Sequence, residues 1–413
     1  MIPSGAWGSL SDIRVIDLTQ MLAGPYSTMM LADHGAEVVK VEAPGGDMAR
    51  SGGPFLSEDH DRSFGGYFQS INRNKQSVCL DLKTPEGVAA MKALIKDADA
   101  VVENFRGGVM DRLGLGYEVL RELNPRLVYG AIRGFGDART GRPSPYVDWP
   151  AFDVVAQAMG GLMAITGPDA DTPTKIGPGV GDIIPGMMLA FGLLAAIHHA
   201  RRTGQGQFVD VSMVDSIFAV CERTVWQNSI QNFVPGPEGN HHPFLTPFGI
   251  FPASDGWVTI AAQDDAFFTV LCEALDLPAL ATDERFLDRA QRGKNRQLLI
   301  NTLSDVTRTL AKADLTARLG GKIPFGPVMG IGEIVEDDHF AARDMIATVE
   351  QGPLAFKVAG VPIKLTDTPG GVRRRAPAIG EHTRRELTRA GLTDDEIDHI
   401  LAHAASKAKT KKD

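Results

Sequence analysis

Along the first third of the chain, short runs rich in Val, Ile and Leu alternate with longer helix-like stretches. Ile13-Arg-Val-Ile-Asp-Leu-Thr19, Glu37-Val-Val-Lys-Val-Glu42, Ser77-Val-Cys-Leu-Asp-Leu82, Ala100-Val-Val-Glu-Asn-Phe105 and Leu127-Val-Tyr-Gly-Ala-Ile132 predict strands. Pro25 to His34, with proline early and Gly35 just past its end, predicts a helix, as does Pro85 to Asp97. Strands spaced by helices imply a parallel sheet covered on both faces, an α/β fold with a Rossmann-like large domain. No G-x-G-x-x-G follows the first strand, so the fold class does not bring a dinucleotide with it.

Farther on, the texture changes. A helix-length apolar run from Ile183 to about Arg202 precedes the strand Phe208-Val-Asp-Val-Ser-Met213. Residues 235–263 are rich in Pro, Gly and aromatics, and Ser254-Asp-Gly256 predicts a hairpin turn before Trp257-Val-Thr-Ile260. The expected organisation is a large domain over 1–224, a smaller α+β domain over 225–330, and a segment over 331–413 that returns to the large domain. That last segment holds a strand, Leu354 to Ala359, and a closing helix opened by the capping-box pattern Thr393-Asp-Asp-Glu396. The basic tail, about 405–413, is expected to be disordered.

Composition narrows the partners. The 413 residues carry a formal charge of −9, which gives no support for nucleic-acid binding. Three cysteines without CxxC spacing suit a reducing cytoplasm, the expected location. The apolar core of the long helix, Met187 to Ile197, is too short a run to span a bilayer, so no membrane partner is expected. His241 and His242 point apart in an extended segment without a third ligand at suitable spacing, so no metal is expected.

The candidate chemistry lies in Gly177-Pro-Gly-Val-Gly-Asp182, which sets a carboxylate in a glycine-rich turn where a helix begins. Glycines leave room for a ligand, and free N–H groups at a helix start stabilise a developing anion. An Asp before an apolar run is also a common N-cap, so both roles fit Asp182. Arg112 sits in Asp111-Arg-Leu-Gly-Leu-Gly116, where glycines again allow close approach.

Taken with Val15-Ile-Asp-Leu18, Ala23-Gly-Pro25, Asn72-Arg-Asn-Lys-Gln-Ser77, Glu103-Asn-Phe105, Arg202-Thr-Gly-Gln-Gly206, Gly239-Asn240 and Ile379-Gly-Glu-His-Thr383, these segments in this order resemble the class III CoA-transferases over nearly the whole chain. That is the family of formyl-CoA transferase, carnitine CoA-transferase and the succinate-dependent dicarboxylate enzymes, and racemases of α-methylacyl-CoA share its fold. The resemblance implies that Asp182 attacks an acyl-CoA thioester, forming an aspartyl anhydride and then an aspartyl-CoA thioester before an acid accepts CoA. An unperturbed Asp is ionised at neutral pH, as the attack requires.

The resemblance also implies a CoA path past Leu22, Ala23, Lys83, Asn104, Phe105, Arg106 and Arg112. Asp153 lies close to the site in a catalytic or a structural role, and Gly239 and Asn240 shape the acceptor pocket. It further implies an interlocked homodimer, a CoA thioester as substrate and no tightly bound cofactor, with succinyl-CoA and a small dicarboxylate as first expectation. Phe152 stands where the racemases place a histidine, and phenylalanine cannot carry the proton that racemisation moves. The glycine run of formyl-CoA transferase is replaced by Glu238-Gly-Asn-His-His-Pro-Phe244, which argues against oxalate and formyl-CoA. A racemase or isomerase, or a non-catalytic CoA-binding protein, remains the alternative.

Overall fold

The computed structural model describes residues 7–409. Six strands, β1 (Arg14–Asp17), β2 (Glu37–Glu42), β3 (Gln76–Cys79), β4 (Ala100–Glu103), β5 (Val128–Arg133) and β6 (Phe208–Ser212), form one parallel sheet in the order β3-β2-β1-β4-β5-β6. The helices among them are α1 (Ala23–Asp33), α2 (Gly66–Asn72), α3 (Pro85–Ile95), α4 (Val109–Arg112), α5 (Tyr117–Leu123), α6 (Asp153–Met159), α7 (Val180–Thr203) and α8 (Met213–Val220).

Side chains on a strand alternate between faces, and here both faces are dry. Val15, Val38, Val102 and Val128 pack towards Leu31 of α1 and Leu189 and Leu193 of α7. Ile16, Val39, Val101 and Tyr129 pack the opposite way, towards Met91 of α3 and Leu120 of α5. Each fully buried Leu or Val in these layers contributes about 1.5–3 kcal/mol.

Helix α7 runs 24 residues, longer than its apolar run alone suggests, and is long and apolar enough by length and composition to cross a membrane. In the fold it is a core helix, with Leu189, Leu193, Ala196 and Ile197 buried against the sheet. It also begins earlier than expected, at Val180, so Asp182 lies inside the first turn. The N-cap is Gly179, and the expected capping role of Asp182 is not realised.

Two compact units divide the chain. The first takes residues up to Leu162, Ile176–Trp226 and everything from His339; the second takes Met163–Lys175 and Gln227–Asp338. The second unit folds around a three-stranded antiparallel sheet of β7 (Phe248–Ala253), β8 (Gly256–Ala261) and β9 (Phe325–Pro327). Its core joins Phe251, Val258 and Ile260 to Phe268, Leu299 and Leu303 on helices. In the first unit, β10 (Ile346–Gln351) and β11 (Leu354–Ala359) pair as a hairpin.

The closing helix, Asp394–Lys409, starts with the capping box: Thr393 N–H donates to Glu396 Oε2 at 2.8 Å. Residues 405–409 continue this helix, a correction to their expected disorder, and 410–413 lie outside the described residues.

In this strand order the chain leaves β1 and β4 in opposite directions, which opens a crevice beyond their carboxyl ends. The loops after β1 and β4 form its walls.

Candidate active site

The first turn of α7 is pinned from within. Val180 N–H donates to Pro178 O at 2.8 Å and Asp182 N–H to Gly179 O at 3.1 Å. Gly181 N–H donates to Asp153 Oδ1 at 2.7 Å. Gly181 is required by close approach, since a Cβ there would lie 2.4 Å from the Asp153 carbonyl oxygen. The donors at Val180, Gly181 and Asp182 are therefore taken, which corrects the expectation that they are free for an oxyanion.

Asp153, at the start of α6, is held in turn by Gln157, whose Nε2 lies 3.0 Å from both carboxylate oxygens. The Gln157 Oε1 accepts from Ile176 N–H at 2.9 Å, so α6 and the approach to α7 form one braced corner.

This bracing sets the Asp182 carboxylate beside a second carboxylate, with no donor reaching it among the described residues. Burial, and then the Asp153 charge, push its pKa up to about 7. The ionisation expected of an ordinary Asp is thus lost to the environment: near neutral pH this group is poised between its two forms. Tyr67, on α2, faces the same charge. Burial and then Asp182 and Asp47 push its phenol up to about 12, so the hydroxyl stays protonated.

Asp182 and Tyr67 line a cavity of about 520 Å³ in the crevice. Leu22 lines it from the loop after β1, Ala23 from the start of α1, and Asn104, Phe105 and Arg106 from the loop after β4; Arg112 of α4 and Phe152 complete the set discussed above. The two loops are clasped together: Gln20 N–H donates to Asn104 Oδ1, and Asn104 Nδ2 donates to Gln20 O, both at 2.8 Å. Asn104 is therefore a structural clasp as well as a wall.

Arg106 and Arg112 are exposed and meet no acceptor among the described residues. Arg133, which also lines the cavity, is already paired with Asp137 and with Glu103 at 2.5 Å. Gly116, expected to admit a ligand, instead makes room for the Asp111 side chain, whose Oδ1 would lie 2.1 Å from a Cβ there.

Of the expected CoA-path residues, Lys83 is not on the cavity wall but exposed on the turn before α3. Asp153, expected close to the site, is off the wall as well and is bonded to Gly181, next to Asp182. Gly239 and Asn240 belong to the second unit, where Gly239 N–H donates to Gly167 O at 3.2 Å and Asn240 O accepts from Ile250 N–H at 3.0 Å. Gln20, Met48, Tyr67 and Arg133 line the cavity without having been singled out in the sequence. Gly65-Gly66 before Tyr67 is the one local signal, an N-terminal helix start that a short polar helix obscures. No histidine lines the cavity among the described residues.

The family described as CoA-transferase family III matches residues 10–383. A succinyl-CoA:mesaconate CoA-transferase of Haloarcula hispanica is 48% identical over 93% of this chain and 97% of its own. A succinyl-CoA–D-citramalate CoA-transferase of Chloroflexus aurantiacus is 38% identical over 95% of this chain and 97% of its own. Among solved structures, a CAIB/BAIF family protein from Brucella suis superposes with a TM-score of 0.83 at 33% identity, covering 93% of this chain and 100% of that one.

Proposed function

The chain belongs to CoA-transferase family III and transfers CoA between an acyl-CoA and a carboxylic acid, and we propose that it does so through Asp182, from succinyl-CoA to a small dicarboxylate. The observation that carries this reading is the isolated Asp182 carboxylate on the cavity wall.

In its ionised form, one Asp182 oxygen attacks the thioester carbonyl. The C–S bond breaks, leaving a succinyl–aspartyl anhydride and CoA thiolate. The thiolate attacks the aspartyl carbonyl, releasing succinate and forming an aspartyl-CoA thioester. The acceptor carboxylate displaces the thiolate to form a second anhydride. Attack of the thiolate on the acceptor carbonyl then yields the new thioester and restores Asp182. No proton is gained or lost, and the acyl bond energy is kept throughout.

A carboxylate that accepts no hydrogen bond has its lone pairs free for this attack. The exposed Arg106 and Arg112 suit the CoA phosphates, which arginine binds in bidentate fashion. Phe105, Leu22 and Ala23 line the path of the less polar arm. Lys83, farther off, would meet the nucleotide only at its outer edge, and Asp153 acts through Asp182. Gly239 and Asn240 are proposed for the acceptor side.

An interlocked homodimer in the cytoplasm belongs to the same proposal. Phe191 on α7, 76% exposed, and Phe218 on α8, 55% exposed, are apolar positions that a second copy would cover. Racemisation is disfavoured because Phe152, 66% exposed on the cavity wall, cannot act as a base.

Incubation with succinyl-CoA, trapping with hydroxylamine or borohydride and peptide mass spectrometry tests the central step. The expected result is modification confined to Asp182. Deuterium entering the α-carbon without CoA exchange would favour the isomerase, and no adduct would sink covalent transfer.

A further inference from the structure

The loop after β1 supplies Gln20, Met21 and Leu22 to the cavity wall, and its conformation is not one the chain adopts freely. Met21 has φ of 64°, in the left-handed region that disfavours residues with a Cβ. Something must over-determine that conformation for it to persist.

The three peptides that end in the N–H groups of Thr19, Gln20 and Met21 are each held separately. Thr19 N–H donates to Asp17 Oδ1 at 2.9 Å, and Thr19 O accepts from Lys40 Nζ at 2.6 Å. Gln20 is clasped by Asn104 on both of its backbone groups. Met21 N–H donates to Asp47 Oδ1 at 3.2 Å. Lys40 and Asp47 are themselves an ion pair, Nζ to Oδ2 at 2.9 Å. One buried pair therefore grips the loop at two points, the carbonyl of Thr19 and the N–H of Met21, and sets the tilt of the peptides between them.

Lys40 is 0% exposed and Asp47 is 3% exposed, and neither lines the cavity. Close by, Lys75 Nζ meets Asp17 Oδ2 at 2.9 Å, Pro25 O at 3.0 Å and Asn72 Oδ1 at 2.9 Å, completing a floor of paired charge. For stability alone, an apolar pair of the same volume serves as well or better than a buried ion pair. What an apolar pair cannot do is donate to one peptide of the loop and accept from another.

We propose that the Lys40–Asp47 pair is a positioning device for CoA transfer, holding Met21 and Leu22 so that the thioester end of CoA meets Asp182. Neither residue touches substrate. Their effect falls on the rate of the chemical step more than on CoA affinity, because misplacing reacting groups by about 1 Å can cost about 10²-fold in rate. The inference rests on the Asp182 reading for where the thioester must sit.

The test uses the full-length protein and two variants. Lys40→Met/Asp47→Leu removes both charges together, and of the other ions near Lys40, Asp17 keeps Lys75 and Glu42 keeps Arg50. Asp47→Asn is nearly isosteric, keeps an acceptor for Met21 N–H and replaces the ion pair with an amide nitrogen that faces the Lys40 ammonium. For each, thermal unfolding is measured alongside kcat and KM for succinyl-CoA.

The expected result for the double variant is a melting temperature near wild type, a kcat lowered at least about tenfold and a KM within about threefold. Asp47→Asn should show the same split in smaller measure. A double variant that folds and keeps wild-type kcat overturns the proposal. So does a kcat loss that tracks the melting temperature, or the failure of both variants to fold, since each makes the pair structural only. Trapping the adduct in the wild-type protein separates the two readings: no adduct at Asp182 sinks the nucleophile and this inference with it, whereas an adduct at Asp182 beside wild-type kcat in the double variant sinks the positioning role alone.

Discussion

Two aspartates of the same crevice are treated in opposite ways by their surroundings. Asp17, at the end of β1, is 0% exposed, meets Lys75 at 2.9 Å and accepts from the hydroxyls of Thr19 and Thr28. Burial alone would raise its pKa, but the charges of Lys75 and Lys40 outweigh burial and hold it down at about 2. Asp182 is also largely withdrawn from water, but its nearest charge is another carboxylate and it rises to about 7.

The residue type is the same, and the cation and donors make the difference. A carboxylate whose oxygens are all engaged is a structural anion. One stripped of partners keeps its lone pairs for attack, at some cost in stability.

Three changes break or sharpen that contrast. The largest effect is expected from Asp182→Asn, which should lower kcat on the order of 10⁴-fold or more, read by steady-state CoA exchange. Its stability should move the other way. Because folding raises this pKa, the folded protein holds a proton that the unfolded chain has released between the ordinary carboxylate range and pH 7. Wild-type stability therefore falls as pH rises through that window. Thermal unfolding should find Asp182→Asn more stable than wild type above pH 7, and similar to it in acid below the ordinary carboxylate range.

Asp17→Asn is expected to do the reverse. Folding lowers this pKa, so its stabilisation is present above the ordinary carboxylate range and is lost as pH falls towards 2. Breaking the pair leaves Lys75 buried without its counter-charge, and the loss at neutral pH should be about 3–5 kcal/mol by denaturant unfolding.

The smallest effect is a displacement of the pH profile. In the wild type, kcat/KM should rise with pH through about 7 as Asp182 ionises. Asp153→Asn removes the neighbouring charge while keeping an oxygen to accept from Gly181 N–H, so the limb should move to lower pH. Glu103 titrates in the same range, pushed up to about 7 by burial against the pull of Arg133. The displacement on Asp153→Asn is therefore what assigns the limb to Asp182.

Much of this architecture was legible in the chain. Glu37 to Glu42 and Leu354 to Ala359 form strands over the expected residues, and the parallel sheet and the capping box at Thr393 follow from local pattern. Helix α2 was not anticipated, because its seven residues are mostly polar, open on one glycine and follow another.

The charge floor was hidden for a different reason. Lys40 and Glu42 in Glu37-Val-Val-Lys-Val-Glu42 look like the wet face of a strand, yet both are buried. A central parallel strand has no wet face, so its charges must find partners, and those partners (Asp47, Arg50 and Asp17) come from other segments. The same limit applies to Asp182. Its position near a helix start can be read locally, whereas its lack of partners is a property of the folded corner.

The most direct test of the central claim follows one oxygen atom. With heavy-oxygen-labelled succinate as acceptor and succinyl-CoA as donor, the acceptor oxygen that attacks the aspartyl thioester remains on Asp182 when the thiolate departs with the acyl group. Peptide mass spectrometry after turnover should find heavy oxygen in Asp182 and in no other carboxylate. Turnover that leaves Asp182 unlabelled would contradict covalent catalysis at this residue.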